Sequence, residues 1–225
     1  MIKNVIHFIA LLVSCSVLGQ HPIYTQFSEK DDLPDIEFYN MMEDSRGFIW
    51  LAAEKGFYRY DGNQFKLFTN QEKRGLSVFE PKEDHLGRVW TCNVSGQFFY
   101  AEGDELHMFI DLGKETSWAL GSFFVTKKHL LVFTYTTIYK ISLSTKAVEA
   151  RIRPNDKFFL GNPLLYNNEI FITDGSGIIK LDLELNILQK ITTATLGRDL
   201  SERCIGKSLL SEVNGHMYLS FFDID

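Results

Sequence analysis

Residues 43–68 and 83–109 are two copies of one pattern. Laying EDSRGFIWLAAEKGFYRYDGNQFKLF over EDHLGRVWTCNVSGQFFYAEGDELHMF matches Glu43 with Glu83, Asp44 with Asp84, Gly47 with Gly87 and Trp50 with Trp90. The same offset of 40 continues through Gly56 with Gly96 and Tyr60 with Tyr100. A one-residue insertion in the last turn then lets Phe68 answer to Phe109. A repeat of this length is a supersecondary unit that buries its apolar faces against its neighbours.

Each unit reads as three strand segments joined by tight turns. Asp44 to Gly47 is a turn in which Gly47 takes positive φ, Phe48 to Ala53 is a continuous apolar run, and Phe57 to Tyr60 is the return strand. Asp61-Gly62 is a hairpin signal leading into Gln64 to Phe68. A run as uniformly apolar as Phe48-Ile49-Trp50-Leu51-Ala52-Ala53 predicts a strand covered on both faces, which a lone meander cannot supply. Neighbouring units must provide the cover.

Weaker copies follow at His129 to Ile141 and at Asn168 to Leu181, which recovers a turn at Asp174 to Gly177. A fifth begins at Asn214-Gly215-His216-Met217-Tyr218-Leu219-Ser220. Repeats of about 40 residues with strands and no helix point to blades around an axis. The expected fold is all-β, an incomplete β-propeller of about four and a half meander blades over approximately 29–69, 70–111, 112–150, 151–192 and 193–225. A ring closes with complete blades, so a half blade predicts a fragment, a truncated reading frame or one segment of a larger protein.

The first residues carry a different signal. MIKNVIHFIALLVSCSVLGQ places Lys3 before an apolar stretch from Val5 to Leu18 and a small residue at Gly19. This is the pattern of a secretory signal peptide over 1–19, cut between Gly19 and Gln20, with 20–225 as the exported propeller. The stretch is short for a membrane span of about 20 residues, which is the alternative. Leu12-Val13-Ser14-Cys15 has the shape of a lipidation site, and cutting there would make Cys15 the membrane attachment. The protein is expected outside the cytoplasm, in the periplasm or on the cell surface.

After cleavage 22 basic side chains stand against 29 acidic ones, a net charge of −7. That disfavours nucleic acid as a partner and leaves no basic patch for anionic lipid. Cys92 and Cys204 remain, 112 residues apart, with neither a CxxC pair nor a histidine at ligand spacing. They read as two separate thiols, with a disulfide as the alternative in an oxidising compartment.

The stretch LPDIEFYNMMEDSRGFIWLAAEKGFYRYDGNQFKLFT over 33–69 resembles the two-component regulator propeller repeat, with its acidic turn, Gly-x-Ile-Trp, small-residue strand, Tyr-Asp-Gly and final aromatic strand. The match is strong over 33–69, fair over 73–109 and weak beyond 120. The leader His21 to Phe27 sits where the family carries a short first strand that closes the ring, and here it is expected to lack its partner. The resemblance implies the exported sensor portion of a membrane-spanning histidine kinase or related regulator. Such sensors carry propellers, an Ig-like domain, a membrane helix and an output domain, of which residues 20–225 are expected to supply part of a propeller. It further implies an oligosaccharide ligand, and a homodimer in the full-length context.

No residue reads as catalytic, no cofactor is implied, and the acidic groups Asp31-Asp32 with Asp35, and Asp223 with Asp225, lack the context of a calcium loop or a hydrolase pair. Asp174-Gly175-Ser176-Gly177 lacks the Lys and helix of a phosphate loop and reads as a hairpin turn. Asn93-Val94-Ser95 matches a glycosylation sequon inside a repeat turn, and His85 reads as a surface turn residue. Trp50, Trp90, Tyr58, Tyr60 and Tyr100 are assigned to the packing between blades, whereas Trp118, outside the pattern, is the candidate ligand contact. A sensor propeller is the leading reading. A carbohydrate-active enzyme and a protein-binding scaffold on the same fold are the alternatives.

Overall fold

A computed structural model of the chain describes residues 37–113, 120–154, 161–174, 177–192 and 209–220, together with Leu33 and Thr195. The expectations placed on Cys15, Gly19, Gln20, the leader His21 to Phe27, Trp118, Cys204 and the acidic groups at 31–35 and 223–225 lie outside the described residues.

Eighteen strands build the described fold. The first sheet is β1 (Phe38–Glu43), β2 (Ile49–Ala53), β3 (Gly56–Tyr60) and β4 (Phe65–Phe68); the second is β5 (Phe79–Glu83), β6 (Val89–Cys92), β7 (Gln97–Glu102) and β8 (Glu105–Asp111). The third is β9 (Leu120–Val125), β10 (His129–Thr134), β11 (Ile138–Ser142) and β12 (Val148–Ile152). The fourth is β13 (Leu164–Tyr166), β14 (Glu169–Asp174), β15 (Gly177–Asp182) and β16 (Ile187–Thr192), and β17 (Leu209–Val213) pairs with β18 (His216–Ser220). Each four-stranded sheet is an antiparallel meander in chain order. These are propeller blades, and the all-β expectation holds.

The unit has four strands where the sequence reading counted three. β1 was missed because its residues, FYNMME, are nearly all exposed and carry no apolar alternation. The extra residue of the second repeat also lies elsewhere than the sequence alignment put it. Trp50 pairs across β2–β3 with Arg59, whereas Trp90 pairs across β6–β7 with Tyr100, so the insertion falls in the β6–β7 turn. Gly56 therefore sits in strand β3 opposite Ala53, while Gly96 lies in a turn whose amide donates to the Asn93 carbonyl. Arg59, not Tyr60, is the counterpart of Tyr100.

The core is built between sheets rather than within them. Trp50, Ala52 and Phe68 of the first sheet pack on Val89, Phe99, Ala101 and Leu106 of the second. The opposite face of the second sheet sends Trp90, Cys92, Phe98 and Phe109 against Phe123, Leu130, Val132 and Ile141 of the third. Leu131, Phe133 and Ile138 then meet Ile170, Ile172, Ile179 and Leu181 of the fourth. All four residues of β6 are buried, because alternate side chains enter opposite interfaces. This explains the unbroken apolar run of the repeat.

Two buried amides tie the link between the first two sheets to the β6–β7 turn. Gln97 Oε1 accepts the Arg74 amide at 2.8 Å and Asn93 Nδ2 at 2.9 Å, while Gln97 Nε2 donates to the Glu72 carbonyl at 2.9 Å. Asn93 Oδ1 accepts the Gln97 amide at 3.0 Å, and its Nδ2 also donates to the Arg74 carbonyl at 2.9 Å. Asn93 is thus buried and committed in the folded chain, which leaves its sequon no accessible acceptor. Gln97→Leu strands several of these groups at once. It is expected to lower stability by about 1–3 kcal/mol in urea unfolding. A loss below about 0.5 kcal/mol would show that the network is not closed in solution.

Candidate functional site

The first strands of successive sheets approach one another, β1 against β5 and β5 against β9, which sets them innermost around the axis. They depart from the apolar code of the other strands. Tyr39 and Phe79 stack with ring centroids 4.7 Å apart, and Tyr39 keeps 37% of its surface exposed. Beside them Lys82 Nζ contacts Glu80 Oε2 at 2.9 Å and donates to Ser122 Oγ at 2.9 Å; Ser122 Oγ in turn donates to Glu80 Oε2 at 2.8 Å. Lys82 also lies over the Phe123 and Phe124 rings, at 5.2 and 4.4 Å. The result is a closed polar triangle flanked by aromatic faces.

The backbone under this triangle is strained. Glu80 has φ of 58°, in the left-handed region that a non-glycine residue occupies at about 1–3 kcal/mol. Its neighbour Pro81 has no amide to give the ladder, and the register of β5 against β6 shifts between Phe79 and Lys82. The displaced Glu80 amide is taken by Asn40 Oδ1 at 3.1 Å, across from β1. Such bulges re-aim side chains at functional positions. Cys92 lies buried behind this cluster as a free thiol, which loss of solvation, aided by the Glu80 charge, pushes well above the usual thiol range. It is inert packing material.

The repeat's polar residues have structural work. Asp44 Oδ1 accepts the amides of Arg46 and Phe48, both at 3.0 Å, while Oδ2 accepts the Trp50 indole at 2.9 Å and Arg46 Nη2 at 2.9 Å. Asp84 repeats this with the amides of Leu86 and Arg88, the Trp90 indole at 2.8 Å and Arg88 Nε at 2.8 Å. Gly47 and Gly87, at φ of 85° and 77°, close these turns on the carbonyls of Asp44 and Asp84. Burial by itself raises each carboxyl, but the indole, guanidinium and amide donors outweigh it and hold both below the ordinary value of 3.8.

A cation and a ring meet beside each of these tryptophans, with their positions exchanged. The Arg59 guanidinium lies 4.8 Å from the Phe48 ring, and Arg88 lies 4.7 Å from Tyr100. Phe48 and Arg88 occupy equivalent places before the strand, as Arg59 and Tyr100 do on its partner. In the first sheet Arg59 then reaches the following sheet, contacting the Gly103 carbonyl at 3.3 Å and Asp104 at 3.2 Å. Lys140 does the same from the third sheet, meeting Glu184 at 2.7 Å.

Of the residues marked from sequence, Trp50, Trp90 and Tyr58 are buried, Tyr60 and Tyr100 are half-buried, and His85 is exposed. Asp174 pairs with Gly177 where β14 turns into β15. Sequence reasoning missed Tyr39, Asn40, Glu80, Lys82 and Ser122. The only signal for them was Pro81 inside a strand-like run. Among the described residues no group of three or more His, Cys, Asp or Glu side chains could hold a metal ion.

No family model and no curated protein matches the sequence. Solved structures do resemble it. The extracellular domain of the hybrid two component system BT3049 from B. thetaiotaomicron aligns at TM-score 0.61 and 14% identity, over 88% of this chain and 30% of that one. The extracellular domain of the one component system BT4673 from the same organism aligns at 0.60 and 14%, over 83% and 29%. Virginiamycin B lyase from Staphylococcus aureus aligns at 0.60 and 15%, over 86% and 72%. The chain thus spans less than a third of the two extracellular domains. Those two are extracellular parts of the class of signalling protein to which the repeat points, and what all three share with this chain is the β-propeller fold.

Proposed function

We propose that this chain is the ligand-binding propeller of an exported sensor of the two-component type, receiving an oligosaccharide at the axis against Tyr39 and Phe79. The observation that carries this reading is the contrast within the repeat. Residues of the second and third strands of each unit serve turns and packing, whereas the inner strands hold a strained, polar and aromatic cluster open to solvent. An aromatic face with adjoining hydroxyl, amide and ion-pair groups suits a polyhydroxylated ring. The fold likeness to extracellular domains of two-component and one-component systems supports the sensor role, and the 1–19 segment supports export. The role is binding, with a histidine kinase or related output elsewhere in a longer parent.

The test is calorimetric titration of the exported chain with a panel of neutral and acidic oligosaccharides, with product analysis of each mixture. One oligosaccharide is expected to bind saturably without being cleaved, and Tyr39→Ala is expected to weaken it about tenfold. Turnover of any member, or binding indifferent to Tyr39→Ala, would overturn the proposal.

A further inference from the structure

Among the described residues, the junction between the second and third sheets lacks the ion pair found on either side of it. At the first junction the final turn of the second sheet presents Asp104 to Arg59 and Lys66, at 3.2 and 2.8 Å. At the third junction the final turn of the fourth sheet presents Glu184 to Lys140 at 2.7 Å. Asp104 stands two residues after Glu102, and Glu184 two after Asp182. The equivalent place in the third sheet, two residues after Ser142, is Ser144. No carboxylate is presented from that turn.

The cations, however, are there. A cleft of about 440 Å³ at this junction is lined by Arg88 and His85 from the β5–β6 turn, Lys127 and Lys128 from the β9–β10 turn, Ser142 at the end of β11 and Ser144 from the β11–β12 turn. Arg88 binds Asp84 through Nε and Nη2, an arrangement that takes no part of Nη1. Glu149, the acid at the rim, is engaged by His129 at 3.0 Å. Lys127 and Lys128 are exposed at the mouth. A cavity of equal volume at the first junction has the opposite lining, with Glu72, Asp104 and Glu105 and no cation. In a chain of net charge −6, this cleft is a local excess of positive charge.

We propose that this cleft is an oxyanion site, in which the carboxylate of an acidic ligand, or an inorganic oxyanion, takes the place that Asp104 and Glu184 fill at the flanking junctions. Lys127 and Lys128 supply the charge, Arg88 the fixed guanidinium, and Ser144, whose hydroxyl shares a hydrogen bond of 3.1 Å with the buried Ser142, a neutral donor. The site lies at turns between sheets and is separate from the axis cluster around Tyr39.

The experiment is calorimetric titration of the exported chain at low ionic strength, where screening is least, with sodium glucuronate, sodium sulfate and glucose. Saturable binding of glucuronate but not glucose is expected. Sulfate binding more tightly than glucuronate would identify an inorganic oxyanion as the occupant, and the reverse a ligand carboxylate. The double variant Lys127→Gln, Lys128→Gln is expected to weaken binding about tenfold or more. Ser144→Glu, which restores the carboxylate of the sister junctions, is expected to abolish it while leaving the chain folded. Tyr39→Ala is expected to leave it unchanged, so failure here and failure of the axis site are read separately. Absence of saturable binding to either anion, or binding that survives both the lysine double variant and Ser144→Glu, would overturn the proposal.

Discussion

Trp90→Ala is expected to lower the unfolding free energy by about 3–5 kcal/mol, the cost of emptying a fully buried aromatic site. Trp90 packs with ring centroids 5.2 Å from Tyr100 and 5.0 Å from Phe109, and it faces the third sheet across the interface. Its indole also donates to Asp84, so the truncation removes a donor from a carboxylate that has no exposed surface. Total stability for a domain is about 5–15 kcal/mol, so the variant is expected to be marginal or partly unfolded at room temperature. Trp90→Phe separates the two losses. It keeps a ring in the interface and removes the N–H, with an expected cost of about 1–3 kcal/mol. Val94→Ala, at an exposed turn, is the control and is expected to stay within about 0.5 kcal/mol. Urea unfolding followed by tryptophan fluorescence and circular dichroism reads all three, and a Trp90→Ala loss under about 1 kcal/mol would mean that the second and third sheets do not pack this way.

Asp84→Ala is the second large effect, expected at about 3–5 kcal/mol because it removes the acceptor from a buried, charge-assisted network. Arg88, the Trp90 indole and two turn amides lose their common partner in one step. The same residue sets an acid limb. Asp44 and Asp84 titrate below 3.8 in the folded chain, so between the folded and unfolded values the unfolded chain binds more protons. Their contribution is therefore fully present above the unfolded value and is lost as pH falls through the lower folded values. Stability is expected to be flat with respect to these two groups near neutrality and to decline from about pH 4 downward. Asp84→Asn retains an acceptor for the amides but turns an NH2 group toward other donors. It is expected to be less stable at pH 7 and to show a shallower acid limb. An acid limb of unchanged slope in Asp84→Asn would remove Asp84 from the account.

The legible parts of this fold are those governed by residues near one another in the chain. The Asp-to-Gly turns could be read because the carboxylate caps amides two and four residues on and the glycine reverses the backbone locally. The Trp positions could be read because they recur at a fixed distance from that turn. The first strand of each unit could not, because β1 is mostly exposed and β5 is interrupted by Pro81, and neither shows a period of two. The location of the inserted residue was misread for a related reason. An alignment that rewards identity places Tyr60 on Tyr100 and Gly56 on Gly96, whereas cross-strand pairing aligns Arg59 with Tyr100. Because the cation and the ring had exchanged places, residue identity pointed one position away from spatial equivalence.

The repeat period, the capped turns, the meander and the need for neighbouring units are all legible in the chain, since each follows from local backbone chemistry and from apolar runs too continuous for one covered face. Which polar groups meet across sheets follows from the tertiary structure alone. Asn40 with Glu80, Lys82 with Ser122, Arg59 with Asp104 and Lys140 with Glu184 are separated by 40 to 45 residues. Their contacts depend on how one sheet is set against the next, a geometry fixed by packing of the large buried side chains between them. The same packing leaves Arg88, Lys127 and Lys128 around a turn of serines, a juxtaposition that no spacing within a single repeat encodes.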